Sequence, residues 1–407
     1  MGAMILAPFY LLINAAFFYC LLRQVSAFLS APWMQAAAFL LGAAYLLGVV
    51  SPIAAYLARK TALRRIFRCI EGYWFGFLLY AMLSWPIWIA VCGLLARTVQ
   101  NVTVQKLFHC SAGYAILAAL AMMLFGIRHA AKIRVRTENI VIDKPCQVTE
   151  LRIAVVSDLH FGCGRGAAFA QQMVKKINAR QPDLVILAGD IFDNDYDMLK
   201  DPKAIAKALR GLKSRCGTYA VWGNHDTAET ILSGFTFDAR TAEQEPRFAA
   251  FLKESEVTLL EDCAVLVSQS FYLVGRDDSE HAAKTGRSRA SEAALLGGLK
   301  EDKPIFVIDH QPCGMEKLAE YGADLLVSGH THNGQLFPMN LLMKLLWKNP
   351  YGIRAVPRAD GGTLYSCVTS GVGAWGPQMR VGTNSEILML RLAFRPGEKW
   401  KTETGGK

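Results

Sequence analysis

The chain has 407 residues, of which 52% are hydrophobic, with 44 Lys+Arg against 34 Asp+Glu. That length allows two or three folding units, and a mean hydropathy of +0.23 is high for a wholly soluble enzyme and points to membrane segments. The basic excess is local: residues 1–137 hold twelve bases and the single acid Glu71, while the remainder balances 32 bases against 33 acids, so the charge belongs to membrane flanks and no nucleic-acid partner is expected.

Four apolar stretches, roughly 4–22, 32–57, 72–96 and 107–127, are each long enough to cross a hydrocarbon core of about 30 Å. They predict a transmembrane anchor of four helices over residues 1–136. The first stretch lacks the basic leader and small-residue cleavage site of a signal peptide. Between the second and third lie Arg59, Lys60, Arg64, Arg65 and Arg68, whereas the other short loops carry only Arg23, Arg97 and Lys106. The positive-inside rule assigns the dense tract to the cytoplasm. Four spans return the chain to that side, where Arg128, Lys132, Arg134 and Arg136 follow. The expectation is a multi-pass protein of an inner or plasma membrane with its catalytic domain in the cytoplasm, and an odd number of spans would invert that side. Ten cysteines without a C-x-x-C pair fit a reduced compartment.

Residues 137–400 read as one α/β domain, followed by a polar tail at 401–407. Strands are predicted at 151–156, 183–188, 219–222, 305–308 and 325–327, and helices near 167–180, 203–214 and 289–299. Such alternation implies a sheet flanked by helices, with a site where the strands end. Five polar signatures stand at those ends: Asp158-Leu159-His160, Gly189-Asp190-Ile191-Phe192-Asp193, Gly223-Asn224-His225-Asp226, His310, and Gly329-His330-Thr331-His332. Taken singly, each has an ordinary explanation in turn chemistry or a solvated loop. Jointly they collect five of the eight histidines, and Asp and Asn oxygens mixed with imidazoles suit a pair of borderline divalent ions.

These motifs, spanning about residues 148–392, resemble the calcineurin-like metallophosphoesterase superfamily. Gly275-Arg276-Asp277-Asp278, Gly334-Gln335 and Thr369-Ser370-Gly371-Val372-Gly373-Ala374-Trp375-Gly376-Pro377 are similar to its bacterial membrane-associated branch, typified by the YaeI and YkuE phosphoesterases. The resemblance implies an αββα sandwich and metal-dependent hydrolysis of phosphoric ester or anhydride bonds. It implies Asp158, His160 and His332 at one metal, Asn224, His310 and His330 at the other, and Asp190 bridging both. It further implies His225 as the catalytic histidine oriented by Asp193, with Asp226 as the competing orienter. Manganese or ferrous iron is favoured, with zinc also compatible with this ligand set.

Protein Ser/Thr phosphatases of the superfamily carry Arg after the second motif's last Asp and Glu after the third motif's His. Here those positions are Asn194 and Asp226. Loss of the Arg removes a bidentate clamp suited to monoester dianions, which favours a phosphodiester or pyrophosphate substrate. Residues 336–347, with Leu341, Leu342, Met343, Leu345, Leu346 and Trp347 beside Lys344 and Lys348, read either as a wall of the site or as a surface dipping into a bilayer. A lipid-linked substrate such as UDP-2,3-diacylglucosamine is therefore a candidate, since a relative of similar layout hydrolyses that pyrophosphate. The alternative is a non-catalytic membrane-bound binding or sensing protein, against which the complete ligand set weighs. A transporter is disfavoured because the apolar stretches hold few polar groups, such as Asn14 and His109, and no membrane-centred acid.

Overall fold

The computed structural model describes residues 2–26, 32–58, 60–99, 111–229, 231–232, 235–236, 244–300 and 302–395. Arg59, Lys106, His109, Cys110 and the expected 401–407 tail lie outside the described residues. The chain divides into two compact units: Met1–Arg128 with Thr230–Asp238 and Gly376–Met379, and His129–Glu229 with Ala239–Trp375 and Arg380–Lys407.

The first unit is built on the helices Gly2–Ser26, Pro32–Leu57, Thr61–Thr98 and Ser111–Ala130. Among the described residues three segments are long and apolar enough to cross a membrane, Met34–Leu57, Thr61–Thr98 and Ser111–Ala130, while the described apolar part of the first helix is the shorter Pro8–Arg23. Three of the four expected spans thus meet that criterion among the described residues, and the first helix does not meet it over its described part. The basic tract is also not a loop. Arg64, Arg65 and Arg68 lie in the opening turns of the 38-residue Thr61–Thr98 helix. At 1.5 Å per residue that helix is roughly 57 Å long, well beyond a hydrocarbon core, because Ala62, Leu63, Arg64 and Arg65 are good helix formers and no Gly or Pro lies between Thr61 and Glu71; Gly72, Gly76, Pro86 and Gly93 lie further along it. Phe39, Leu40, Leu94 and Leu117 point outward, as apolar side chains do when lipid is the solvent. Several inward-facing polar groups are paired: Tyr10 Oη donates to the Val49 carbonyl at 2.9 Å and accepts from Trp74 Nε1 at 2.9 Å, and Tyr45 Oη lies 3.1 Å from Asn14 Oδ1.

The second unit holds two six-stranded sheets. One has the order β1-β14-β2-β3-β4-β7 and comprises β1 (Arg134–Ile142), β2 (Glu150–Val156), β3 (Leu184–Ala188), β4 (Thr218–Val221), β7 (Thr258–Leu259) and β14 (Glu386–Phe394). The other has the order β12-β13-β11-β10-β9-β8 and comprises β8 (Cys263–Val267), β9 (Phe271–Gly275), β10 (Ile305–Ile308), β11 (Leu325–Ser328), β12 (Gly352–Pro357) and β13 (Thr363–Val368). The pair β5 (Ile231–Leu232) and β6 (Phe235–Thr236) belongs to the first unit.

Alternation along each buried strand builds three apolar layers. Ile153, Val155, Leu184 and Ile186 meet Leu273, Phe306, Ile308 and Val327 between the sheets. The opposite faces, Ala154, Val156, Val185 and Leu187, pack with the Ala167–Asn178, Pro202–Arg210 and Pro246–Glu254 helices. On the far side, Ile305, Val307 and Leu326 pack with the Met315–Glu320 helix. This is the αββα arrangement expected. The five expected strands appear within a residue or two of their predicted bounds; β7, β8, β9, β12, β13 and β14 were not foreseen, and neither was β1. It begins at Arg134, inside the stretch expected to be anchor, and pairs in parallel with β14 from Arg134↔Glu386 onward. Arg136, read as a cytoplasmic flank, is instead bound to Glu386 at 3.1 Å and Glu138 at 2.8 Å.

Candidate metal centre

All seven expected ligands meet at the C-terminal ends of strands in the second unit. Asp158 follows β2, Asp190 follows β3, Asn224 follows β4, His310 follows β10 and His330 follows β11. Within β2-β3-β4 and within β9-β10-β11 neighbouring strands are parallel, so their carboxyl ends share one edge. Donor atoms of Asp158, His160 and His332 lie within 4.8 Å of one another, and so do those of Asp190, His310 and His330.

Asp190 links the two groups. Its Oδ2 is 3.1 Å from His310 Nε2 and 3.8 Å from His160 Nε2. Asn224 Oδ1 lies 3.0 Å from His330 Nδ1, His332 Nε2 lies 3.3 Å from Asp158 Oδ1, and the Nε2 atoms of His160 and His332 face each other at 3.2 Å. His310 Nδ1 stands 2.8 Å from the Ala188 carbonyl, which only accepts, so Nδ1 carries the proton and Nε2 faces the site.

The backbone is bent to make this possible. Five of the seven expected ligands have left-handed φ: Asp158 57°, His160 45°, Asp190 51°, His330 68° and His332 49°. Each such residue costs about 1–2 kcal/mol, which the surrounding fold must overcome. Two glycines give room. A Cβ on Gly223 would lie 2.2 Å from Asp190 Oδ1, and one on Gly329 would lie 2.5 Å from Asp158 Oδ2.

The electrostatics fit divalent cations. Asp158 and Asp190 are buried, with imidazoles as their immediate cationic partners. Burial disfavours the charged Asp190, yet His310 and His225 prevail and hold its carboxyl well below the usual range. Burial likewise opposes protonation of His310, but Asp190 and Asp158 hold it well above its ordinary value. His330 is pushed down to about 3 by burial and by His310, and His332 well below its ordinary value by burial, His160 and Arg380. The site therefore combines Asp190, whose carboxylate demands positive charge, with His330 and His332, held neutral with lone pairs to give, while burial pushes Asp158 up. Moreover, His310 Nε2 is buried with no hydrogen-bond partner. The residues present fit a pair of metal ions.

Around the centre the structure redistributes the expected supporting roles. His225 N donates to Asp190 Oδ1 at 2.8 Å, while its Nδ1 meets Asn194 Oδ1. Asp193 Oδ1 lies 3.7 Å from His160 Nδ1, while burial holds His225 below its ordinary value against the charges of Asp190 and Asp193. Asp226 is not at the imidazole. Its two oxygens accept from Phe192 N and Gly223 N, both at 2.8 Å, so it ties together the loops carrying Asp190 and Asn224. His225 and His330 are half-buried and the other histidines of the centre buried, which marks the mouth.

Several residues have roles that the sequence reading did not assign. Trp347 stacks edge-on with His330 at 5.1 Å and Trp375 stands 5.9 Å from His225, flanking the mouth. Gln335 donates to the Trp375 carbonyl at 2.8 Å and accepts from Trp375 N at 2.9 Å, which explains why Gly334-Gln335 and the 369–377 motif occur together. Buried Arg380 donates to the carbonyls of Ser370 at 2.6 Å and Gly373 at 2.8 Å and to that of His332 at 3.3 Å. A lone arginine far from any motif carries no sequence signal of this kind.

Residues 151–334 match the family described as calcineurin-like phosphoesterase. That stretch contains every expected ligand. Residues 151–334 form a calcineurin-like metallophosphoesterase domain. Relatives carry the same label beyond the motif region. The chain is 29% identical over 289 residues to "Transmembrane protein with metallophosphoesterase domain" of Bos taurus, covering 69% of this chain and 62% of that protein. It is 30% identical over 271 residues to an "Uncharacterized metallophosphoesterase" of Helicobacter pylori (strain J99), covering 64% of each. It is 23% identical over 290 residues to "UDP-2,3-diacylglucosamine pyrophosphatase LpxG" of Chlamydia trachomatis, covering 60% of this chain and 84% of that protein. The chain thus spans less than two thirds of the length of the first two relatives. They include an animal protein as well as bacterial ones, so they support the metallophosphoesterase family more broadly than the bacterial branch.

Proposed function

We propose that this protein is a membrane-anchored, dinuclear metal-dependent phosphohydrolase that cleaves a phosphodiester or pyrophosphate. The observation that carries this reading is Asp190 Oδ2, one oxygen facing both donor groups at 3.1 and 3.8 Å. Asp158, His160 and His332 would hold one ion, Asn224, His310 and His330 the other, and Asp190 both. Manganese or ferrous iron is favoured over zinc. When bound, such a pair supplies an activated water and neutralises charge on a phosphoryl group.

The chain's own part lies at the mouth. His225 stands beside ligand Asn224 and is half-buried, positioned to give its Nε2 proton to the departing oxygen while Asn194 holds Nδ1 and the charges of Asp190 and Asp193 favour the protonated ring. Asn194, which stands where protein phosphatases of the superfamily carry Arg, is itself buried and turned to His225. No bidentate guanidinium clamp stands at that position, which supports diester or pyrophosphate cleavage over monoester. Likeness to a UDP-2,3-diacylglucosamine pyrophosphatase, together with the apolar helices, makes a lipid-linked pyrophosphate such as UDP-2,3-diacylglucosamine the first substrate to try. Counting the 25-residue Gly2–Ser26 helix as a fourth span, the positive-inside rule would set the catalytic domain on the cytoplasmic side.

The test is hydrolysis of an aryl phosphodiester and the matching monoester by detergent-purified protein, with and without manganese, beside Asn224→Ala. Metal-dependent diester cleavage that disappears in the variant supports the reading. Absence of cleavage of diester, monoester and UDP-2,3-diacylglucosamine by protein carrying both metals refutes it and favours a binding or sensing role. Maleimide labelling of exposed Cys313 from either side of sealed membrane vesicles tests the topology.

A further inference from the structure

A folded domain hides its large apolar side chains, and the second unit does so nearly everywhere. Among its described residues eight large hydrophobic side chains are exposed, and six of them, Phe337, Met339, Leu341, Leu342, Leu345 and Leu346, fall within ten positions. They lie on or beside the Met339–Leu346 helix, whose buried residue is Met343 alone. Leu345 is 81% exposed, a value that marks a side chain held away from the domain it belongs to. The helix starts five residues after Gly334, the end of the His332 turn, and ends at Trp347, which touches His330 at the mouth of the metal centre.

We propose that the Met339–Leu346 helix docks on the surface of a lipid bilayer containing anionic phospholipid and so sets the mouth of the metal centre at the headgroup layer. The partner's chemistry follows from the patch. Its apolar face is bordered by exposed Lys344, Lys348 and Arg354, and the acid Glu316 is paired to Lys348 at 2.7 Å. Apolar side chains ringed by cations match acyl chains beneath anionic phosphates. The apolar helices of the same chain hold the domain at a membrane, which raises the local concentration of bilayer around so short a helix. The consequence for catalysis rests on the phosphohydrolase reading: the phosphoester would be presented from the leaflet beside Trp347 and His330. Docking itself does not depend on that reading.

The experiment uses the full chain reconstituted in vesicles of phosphatidylcholine and phosphatidylglycerol that carry a phospholipid with a diazirine at its acyl terminus. After irradiation, adducts are mapped on the peptide containing residues 337–347 in the wild type, in Leu341→Asp with Leu345→Asp, and in Lys344→Glu. The expected result is labelling of this peptide, reduced about tenfold in the double variant, and reduced severalfold in Lys344→Glu only when phosphatidylglycerol is present. No labelling of this peptide above background in the wild type, or equal labelling in the wild type and the double variant, would overturn the proposal. Hydrolysis is read in parallel. The double variant should retain turnover of a short-chain, water-soluble diester, which also reports its folding, and lose about tenfold on the same headgroup carried by long acyl chains in the vesicle. Equal retention on both substrates would remove the catalytic consequence. If the wild type hydrolyses neither, the phosphohydrolase reading fails while the adducts still decide docking.

Discussion

The two sheets contribute unequally to the metal centre. The sheet containing β2, β3 and β4 delivers Asp158, Asp190 and Asn224, the oxygen donors, together with His160. The sheet containing β10 and β11 delivers His310, His330 and His332, imidazoles only. Negative charge therefore gathers on one side of the sandwich and neutral or proton-hungry nitrogen on the other. Neither sheet holds a complete ligand group: the first needs His332, the second needs Asp190. The centre is thus a product of sheet packing, and the apolar layer between Ile153, Val155, Phe306 and Val327 positions it.

This asymmetry can be broken most severely at Asp190, whose single oxygen faces both groups. Asp190→Ala is expected to lower turnover by at least about a thousandfold and to release metal from both positions, as measured by elemental analysis of purified protein. Retention of two equivalents would contradict its bridging position. His225→Ala touches the same sheet edge but not the donors. It should keep the metals and lose roughly a hundredfold or more in kcat, and loss of both metals would remove its assignment as proton donor.

Two changes sharpen the contrast between holding a ligand and holding a loop. Arg380→Met leaves the Ser370 and Gly373 carbonyls without their buried donor and should cost roughly 3 kcal/mol, read as a lowered denaturation midpoint. Gly223→Ala forces a Cβ against Asp190 and should cost about 1–3 kcal/mol while shifting metal affinity more than stability. The smallest effect separates Asp193 from Asn194. Asn194→Ala should lower kcat about tenfold with metal content unchanged, whereas Asp193→Asn should also weaken the site built on His160, seen as a higher metal concentration for half-maximal activity.

Much of this centre was legible in the chain because its chemistry is local. A buried apolar run that stops at a Gly-Asp or Gly-Asn must turn, and turn residues at five strand ends with five histidines announce both the strands and the donors. The supporting residues were less legible. Asp193, Asn194 and Asp226 are neighbours of ligands, and which of them faces His225 depends on the left-handed turn at Asn194, with φ of 58°, a conformation that spacing does not reveal. β1 was hidden because Arg134, Arg136 and Glu138 look like a charged flank until Glu386, about 250 positions away, pairs with them.

The membrane region shows the same division. Its apolar content is a property of composition and was readable directly. Where a helix stops is decided by competition between helix propagation and solvation of Arg64, Arg65 and Arg68, and propagation carries the third helix through them. The sequence by itself determined which residues can ligate metal, which segments are apolar enough for a bilayer, and the family of the domain, since these rest on side-chain chemistry and short-range pattern. Only the tertiary structure decided that Asp190 faces both donor groups, that Asn194 meets His225, and that six apolar side chains stand outside the core beside the mouth. Those facts depend on packing two sheets whose partners are far apart in the chain, and no local pattern encodes that distance.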